Sequence, residues 1–555
     1  MKSALKILLV SVLGFIVSAA ASPDPSQKST EVLLGRIPVQ SGGRVKPFES
    51  FAQEILVSVT GKKALAGEKA SIVLWKWISN PEEWHTKSFI PVKHKALREE
   101  FGLMVIAGKI SPELVLSHPP FLEKVEEASA RKERKEPVTL LEKKRIELHE
   151  QAHLFEALTR GVLPGFIPNP EDPRESWFPI EALATPRGQE ALGKYYSPEL
   201  VAEVHAVLGE LVRLLHDGKE AASSAHEFAF SLEHLRSSRE IVLDQNKINL
   251  ELAYNHLRPF HWAWILYLAS AVLGFVLRNR FPQIAFGFFL GGFFFHTLGF
   301  VLRCLVAGRP PVSNMYESII WVAWAVAFFS IPLRFFSRNP VLSVAAAAVA
   351  SLALLIGESF PAVLDPSLSP LVPVLRSNYW LTIHVLTITL SYGAFALAWG
   401  LAHANLFNFA FHPEKREEQE SLGAFLYRAL QIGVVLLAAG TILGGVWAND
   451  SWGRFWGWDP KETWALIALL GYLAILHCRH MRWIGTFGTA VSSVLAFLGI
   501  LMAWYGVNFV LAAGLHSYGF GGGGFPWVSV GVLIDLALVS FLVFCYHRSR
   551  SVLKV

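Results

Sequence analysis

The spacing of apolar residues changes character once along the chain, near residue 258. Before that point apolar positions recur at helical spacing, as in 141–158 and 197–215, and Pro- and Gly-rich loops such as 163–173 interrupt them. Beyond it come nine almost continuous apolar runs, near 260–278, 282–306, 316–335, 340–358, 380–402, 425–447, 464–480, 487–511 and 526–547. Each is about 18–25 residues long, which is what a helix needs to cross a bilayer. The pattern predicts an all-α fold: a polytopic transmembrane bundle of about nine spans over 259–555. A mainly helical domain over 23–258 precedes it, after an N-terminal segment over 1–22.

The connections between runs alternate in charge. Arg278 and Arg280, Arg334 and Arg338, Lys415 and Arg416, Arg479 and Arg482, and Arg548 with Arg550 fall on one side, which the positive-inside rule assigns to the cytoplasm. At the N-terminus Lys2 and Lys6 precede a short apolar run and then Ala-Ala-Ala-Ser. That is the layout of a secretory signal peptide, and a retained anchor is the other reading. Either puts residue 258 outside the cytoplasm, in agreement with the basic residues.

Composition supports the same class. The chain is 52% hydrophobic and 17% charged, with a mean hydropathy of +0.38, so much of its apolar surface must face lipid. Its net charge is +5 and the basic residues gather at membrane ends, which leaves no surface for nucleic acid. The cysteines are Cys304, Cys478 and Cys545, with no Cys-x-x-Cys. This argues against a disulfide framework, a thioredoxin-type centre or c-type haem attachment to this chain. In the first half, Gly42-Gly43 reads as a turn and Ser50 onward as a helix. The charged run 123–136 reads as a solvated helix face, and His149 with His153 as a surface pair.

Candidate chemistry concentrates in residues 447–464, where Trp447, Trp452, Trp456, Trp458 and Trp464 lie between two apolar runs and Gly453 and Gly457 interrupt the helix. Flat rings on a glycine-bent backbone make a shelf for a large flat ligand. An interfacial aromatic belt is the plainer alternative, but a belt does not require the spacing Trp-Gly-x-x-Trp-x-Trp-Asp-Pro. Asp459, Pro460 and Glu462 fit the N-cap, first-turn proline and third-position carboxylate of a new helix, which makes the two acids supports of the shelf first and ligand contacts second.

Histidines within membrane spans are costly and therefore candidates for function. His384 falls roughly 6 Å below the outer end of its run, and His516 follows the eighth run in Gly-Leu-His-Ser-Tyr. Two neutral imidazoles flanking an aromatic bed are what bis-axial ligation of haem iron requires. His296 and His477 fall roughly 15–20 Å inside. They fit ligands of a second haem between helices, or histidines hydrogen-bonded to a neighbouring helix. His480, beside Arg479 and Arg482, reads as a cytoplasmic-end residue. Arg454, Arg376, Arg303 and Arg309 fit partners for haem propionates or interfacial snorkelling side chains. A transmembrane haem b electron carrier is the rival reading, and a transporter without haem a third.

Four segments carry a family resemblance: 309–318 (Arg-Pro-Pro-Val-Ser-Asn-Met-Tyr-Glu-Ser), 379–385 (Tyr-Trp-Leu-Thr-Ile-His-Val), 452–464 (Trp-Gly-Arg-Phe-Trp-Gly-Trp-Asp-Pro-Lys-Glu-Thr-Trp) and 507–518 (Val-Asn-Phe-Val-Leu-Ala-Ala-Gly-Leu-His-Ser-Tyr). With them the chain resembles the CcsA/ResC family, the tryptophan-rich membrane subunit of System II cytochrome c maturation, and 452–464 is similar to its WWD signature. The resemblance implies a cytochrome c synthase subunit in the bacterial inner membrane. Such a subunit carries haem b to the extracytoplasmic face and presents it to Cys-x-x-Cys-His motifs of apocytochrome c. It further implies His384 and His516 as axial ligands of the outer haem, iron ligation by His477 inside the membrane, and His296 or a partner residue opposite it. The shelf (Trp452, Arg454, Trp456, Trp458, Asp459, Glu462, Trp464) and Arg376 would hold the haem. No individual catalytic residue follows from it. A CcsB/ResB-like membrane subunit and thiol-reducing proteins are the expected partners, since 23–258 contains no spans of its own.

Overall fold

Nine helices among the described residues are long and apolar enough to cross a membrane. Their α-helical parts are α1 (Pro259–Val276), α2 (Pro282–Ala307), α3 (Met315–Phe336), α4 (Val341–Ser359), α5 (Leu386–Phe411), α6 (Arg416–Trp452), α7 (Pro460–His480), α8 (Thr486–Leu501) and α9 (Phe525–Val552), the fifth and eighth spans including adjoining π-helical residues. The protein is a multi-pass membrane protein whose spans among the described residues are all helical, as its apolar runs predict. The computed structural model describes residues 29–134, 136–171, 175–276, 282–336, 340–361, 364–371, 377–511 and 524–552. These fall into two units: one runs to Leu257 and includes Ser367–Pro370, and the other comprises Arg258–Pro366 and Leu371 onward.

In the membrane unit α5 is the central helix. It packs against α3, α4, α6, α8 and α9, and 56% of the most apolar window of its span is buried, against 11% for that of α9. Its sequence explains this: Ser391, Gly393, Ala394, Ala396, Ala398 and Ala402 are all buried. Without a hydrophobic drive inside lipid, such small residues let helices approach closely enough for dispersion contacts to hold them. Polar staples add direction. The Glu358 carboxylate on α4 accepts hydrogen bonds from Arg258 and from α1's Trp264, and lies 2.9 Å from His261. On the far side His403 of α5 lies 3.0 Å from Asp535 of α9.

Two stretches of this bundle depart from α geometry. A π turn, Leu381–Val385, leads into α5, and a π-helical stretch, Met502–Leu511, continues α8. A π segment inserts extra residues per turn and re-aims the side chains it carries. Both segments lie at the same end of the bundle.

The first unit is mostly helical around a core rich in aromatic rings, with Trp75, Trp77, Phe48, Phe155, Phe166 and Phe228 fully buried. It also holds short antiparallel sheets. The largest has the strand order Arg44–Pro47, Pro38–Ser41, Gly165–Ile167, Phe178–Pro179, and Gly42-Gly43 forms the hairpin turn with both φ angles positive. The following helix starts at Phe48, two residues before the expected Ser50. Arg44 makes a two-pronged pair with Glu251, 2.7 Å on each arm, and Lys46 pairs with Glu54. Burial lowers the Lys46 pKa and raises that of Glu54.

Candidate functional site

Four segments far apart in sequence meet at one end of the membrane unit: the start of α3 with the loop before it, the π turn entering α5, the α6–α7 junction, and the π stretch ending α8. Because successive helices alternate in direction, this end lies opposite the basic connections Lys415–Arg416 and Arg479–Arg482. Together the segments line a partly open cleft of ≈ 160 Å³. Its walls are chiefly apolar and aromatic, with Val312, Met315, Val385, Ile388, Trp447, Trp456 and Trp504, and its polar members include Ser313, His384, Lys461 and Asn508. That mixture, an apolar concavity with few polar groups, is typical of small-molecule sites.

His384 is fixed from behind. Its Nδ1 lies 2.8 Å from the backbone carbonyl of Gly440. A carbonyl only accepts, so Nδ1 carries the proton and Nε2 carries the lone pair. This is the second-shell arrangement that orients ligating histidines. Gly444, one turn further along α6, makes it sterically possible: a Cβ there would come 2.7 Å from His384 Cε1. Trp447 stands edge-on to the imidazole, with ring centroids 5.6 Å apart and planes at 62°.

The tryptophan stretch is built by two helix ends. Helix α6 runs 37 residues and stops at Gly453, whose φ of 69° is left-handed. Trp447 and Trp452 therefore belong to a helix, not to a loop. Helix α7 opens with the capping box expected from its sequence: Asp459 accepts from the Lys461 N–H at 2.9 Å, and Glu462 accepts from the Asp459 N–H at 3.2 Å. Glu462 also accepts from the Gly457 N–H at 2.8 Å. Between the helices Trp458 is 69% exposed and has a φ of 56°, a conformation that strains a bulky residue. The cap on one side and the Glu462–Gly457 bond on the other hold it there.

The rings do not form one flat shelf. Trp456 and Trp458 stand perpendicular, 89° apart at 5.9 Å. Trp447 and Trp456 face the cleft, whereas Trp452 and Trp464 do not line it. The Arg454 guanidinium lies 5.9 Å from the Trp452 ring centre and 3.8 Å from Glu462.

Other expected site residues are placed differently. His296 is fully buried in α2, with Nε2 3.0 Å from the Ile320 carbonyl and Nδ1 3.5 Å from the Tyr267 hydroxyl, and it does not reach the cleft. His477 is exposed on the outside of α7, its Nδ1 2.7 Å from the Leu473 carbonyl. Because α7 begins at Pro460, His477 lies roughly 25 Å along it, beyond mid-membrane. The structure does not bring these two together. Arg303 and Arg309 are both committed to the buried Glu317, at 2.7 and 3.0 Å, which removes them as partners for an anionic ligand. His516 and Arg376 lie outside the described residues.

Sequence reasoning missed several cleft residues, among them Tyr392, Lys461 and Trp504. The available signal was Lys461 itself, a cation in the first turn of a helix, where the macrodipole disfavours positive charge. Trp504 and Tyr392 sit inside apolar runs, where aromatic residues are unremarkable.

These features define a polytopic helical membrane protein with an aromatic, histidine-bearing cleft at one membrane end. The Cytochrome C assembly protein family matches residues 312–516, the span that builds the cleft. The chain is 36% identical over 263 residues to the cytochrome c biogenesis protein CcsA of Prochlorococcus marinus (strain NATL2A), covering 40% of this chain and 81% of that protein. It is also 32% identical over 526 residues to protein NrfI of Wolinella succinogenes, covering 89% of this chain and 55% of NrfI. It therefore spans about half of NrfI's length. The chain belongs to the CcsA family of cytochrome c biogenesis proteins.

Proposed function

We propose that the cleft receives haem as cargo and presents it at the extracytoplasmic face for thioether attachment to the Cys-x-x-Cys-His motif of an apocytochrome c. The carrying observation is His384, whose Nδ1 is satisfied by the Gly440 carbonyl within a cleft walled by Trp447, Trp456 and Trp504. An imidazole in this tautomer donates its lone pair to iron through Nε2, and indole faces suit a flat porphyrin. The exposed Trp458 and the mouth at the α6–α7 junction leave an edge of such a ligand accessible from outside. In the attachment step a cysteine S–H adds across a haem vinyl group. A C–S bond forms, the proton goes to the other vinyl carbon, and no net oxidation occurs. The protein supplies position and orientation. The second iron ligand is assigned to His516, and Arg376 to the cargo's rim. Membrane-embedded ligation by His477 requires a second ligand from a CcsB/ResB-like subunit, because His477 faces outward.

The test is the purified full chain, scored for a Soret band, together with holocytochrome c yield in a bacterial host lacking its own assembly proteins. The wild type is expected to carry haem and to restore maturation. Gly444→Val is expected to displace the His384 ring and reduce both by roughly tenfold or more, in line with the loss of ligand-orienting groups. A wild-type protein without a Soret band would rule the reading out.

A further inference from the structure

Among the described residues Lys461 is the charged side chain of the cleft that makes no ion pair, and the Asp459 carboxylate of the helix cap acts on it only through space. Among the described cleft residues the charged groups other than His384 are Lys461 and Glu462. Glu462 lies 3.8 Å from Arg454 and accepts two backbone hydrogen bonds. Lys461 makes no ion pair with any described residue: its Nζ is 3.4 Å from the Asn508 side-chain oxygen, a neutral partner at the edge of hydrogen-bonding distance. An ammonium is also disfavoured in the first turn of a helix, where the dipole is positive. A cation in that position beside apolar, aromatic walls, offset only by the cap carboxylate of Asp459, is stabilised further when an anion arrives.

We infer that Lys461 receives a carboxylate of the cargo, a haem propionate, and so fixes which edge of the porphyrin enters the cleft. This rests on the haem reading above. With iron directed to His384 and a propionate to the α7 N-terminus, in-plane rotation of the macrocycle is blocked, and the vinyl edge is the one left away from Lys461. Asn508, from the π stretch after α8, steers the ammonium. Arg454, 5.9 Å from the Trp452 ring centre and 3.8 Å from Glu462, does not line the cleft.

The same ammonium would also attract an anionic lipid headgroup, and the test separates the two sources. The full chain is placed in nanodiscs of zwitterionic lipid, and in a second set containing phosphatidylglycerol. Binding of ferric haem is compared with binding of its dimethyl ester, which has the same iron and vinyl groups but no free carboxylates. Wild-type protein is expected to prefer haem over the ester by roughly tenfold, the scale of one charge-assisted hydrogen bond. Lys461→Met should abolish that preference and Lys461→Arg retain it, both with the iron-ligation spectrum of the wild type. Retained preference in Lys461→Met overturns the inference and leaves the haem reading intact. An effect of Lys461→Met seen only with phosphatidylglycerol assigns the residue to lipid and also overturns it. Failure of the wild type to bind haem in either nanodisc removes both proposals.

Discussion

Substituting His384 with alanine is expected to cost more holocytochrome c than any other single change in the cleft, with the protein still inserted and folded. Two features set the size of the effect. The side chain is only half-buried and lines an open cleft, so its removal leaves a site water can fill, not a sealed void of the kind that costs several kcal/mol. Its backbone support is separate from its chemistry, because the π turn at Leu381–Val385 is set by main-chain bonds. The loss should therefore appear in haem retention and maturation. It should exceed the roughly 10- to 100-fold usual when a group that merely supports a ligand is removed. Added imidazole should occupy the vacated space and partly restore the ligation spectrum. His384→Ala carrying haem with an unaltered spectrum would show that iron is held elsewhere. Trp447 gives a contrast: it contacts the same ring at 5.6 Å, so Trp447→Leu should weaken haem retention without changing the ligand set.

The parts of the site that were legible in the sequence are those with local physical causes. The spans could be read because lipid forces backbone hydrogen bonds to close within each helix, so length and apolarity suffice. The start of α7 could be read from Asp459, Pro460 and Glu462, since caps act within one turn. The extension of α6 from 447 to Trp452 could not, because hydropathy falls at Asn449 and Asp450 while both side chains, being exposed, are free to stay helical in polar surroundings. The first-unit strands span two to four residues each, too few for alternation to register. The π segments leave no periodic signature, yet they aim His384, Trp504 and Asn508. The two arginines were misread for a different reason. Their counter-charge, Glu317, sits in the first turn of α3, and only the fold brings Arg303 at the end of α2 and Arg309 in the loop onto it.

Replacing Glu317 is the second change with a large expected effect, and it acts through that triad. Arg303 and Glu317 are both 0% exposed and Arg309 is 8% exposed. Glu317 also accepts hydrogen bonds from the backbone N–H and hydroxyl of Ser313, at 2.9 and 2.8 Å. One carboxylate thus ties the end of α2, the connecting loop and the start of α3 into one wall of the cleft, which Val312 and Ser313 line. Glu317→Ala leaves two guanidinium groups buried without compensation, a loss on the order of 3–5 kcal/mol. It should lower the detergent-solubilised unfolding temperature and haem retention together, and Glu317→Gln should fall between it and wild type. A triple change, Arg303→Met, Glu317→Leu and Arg309→Met, separates stability from function. Removing every charge at once should recover most of the thermal stability, since apolar replacement of a buried ion cluster is often close to neutral. It should not recover haem retention, because Ser313 loses the acceptor that places the wall. If the triple variant regains both, the triad is a packing element with no part in shaping the cleft. If Glu317→Ala unfolds at the wild-type temperature, the charges are not buried as described.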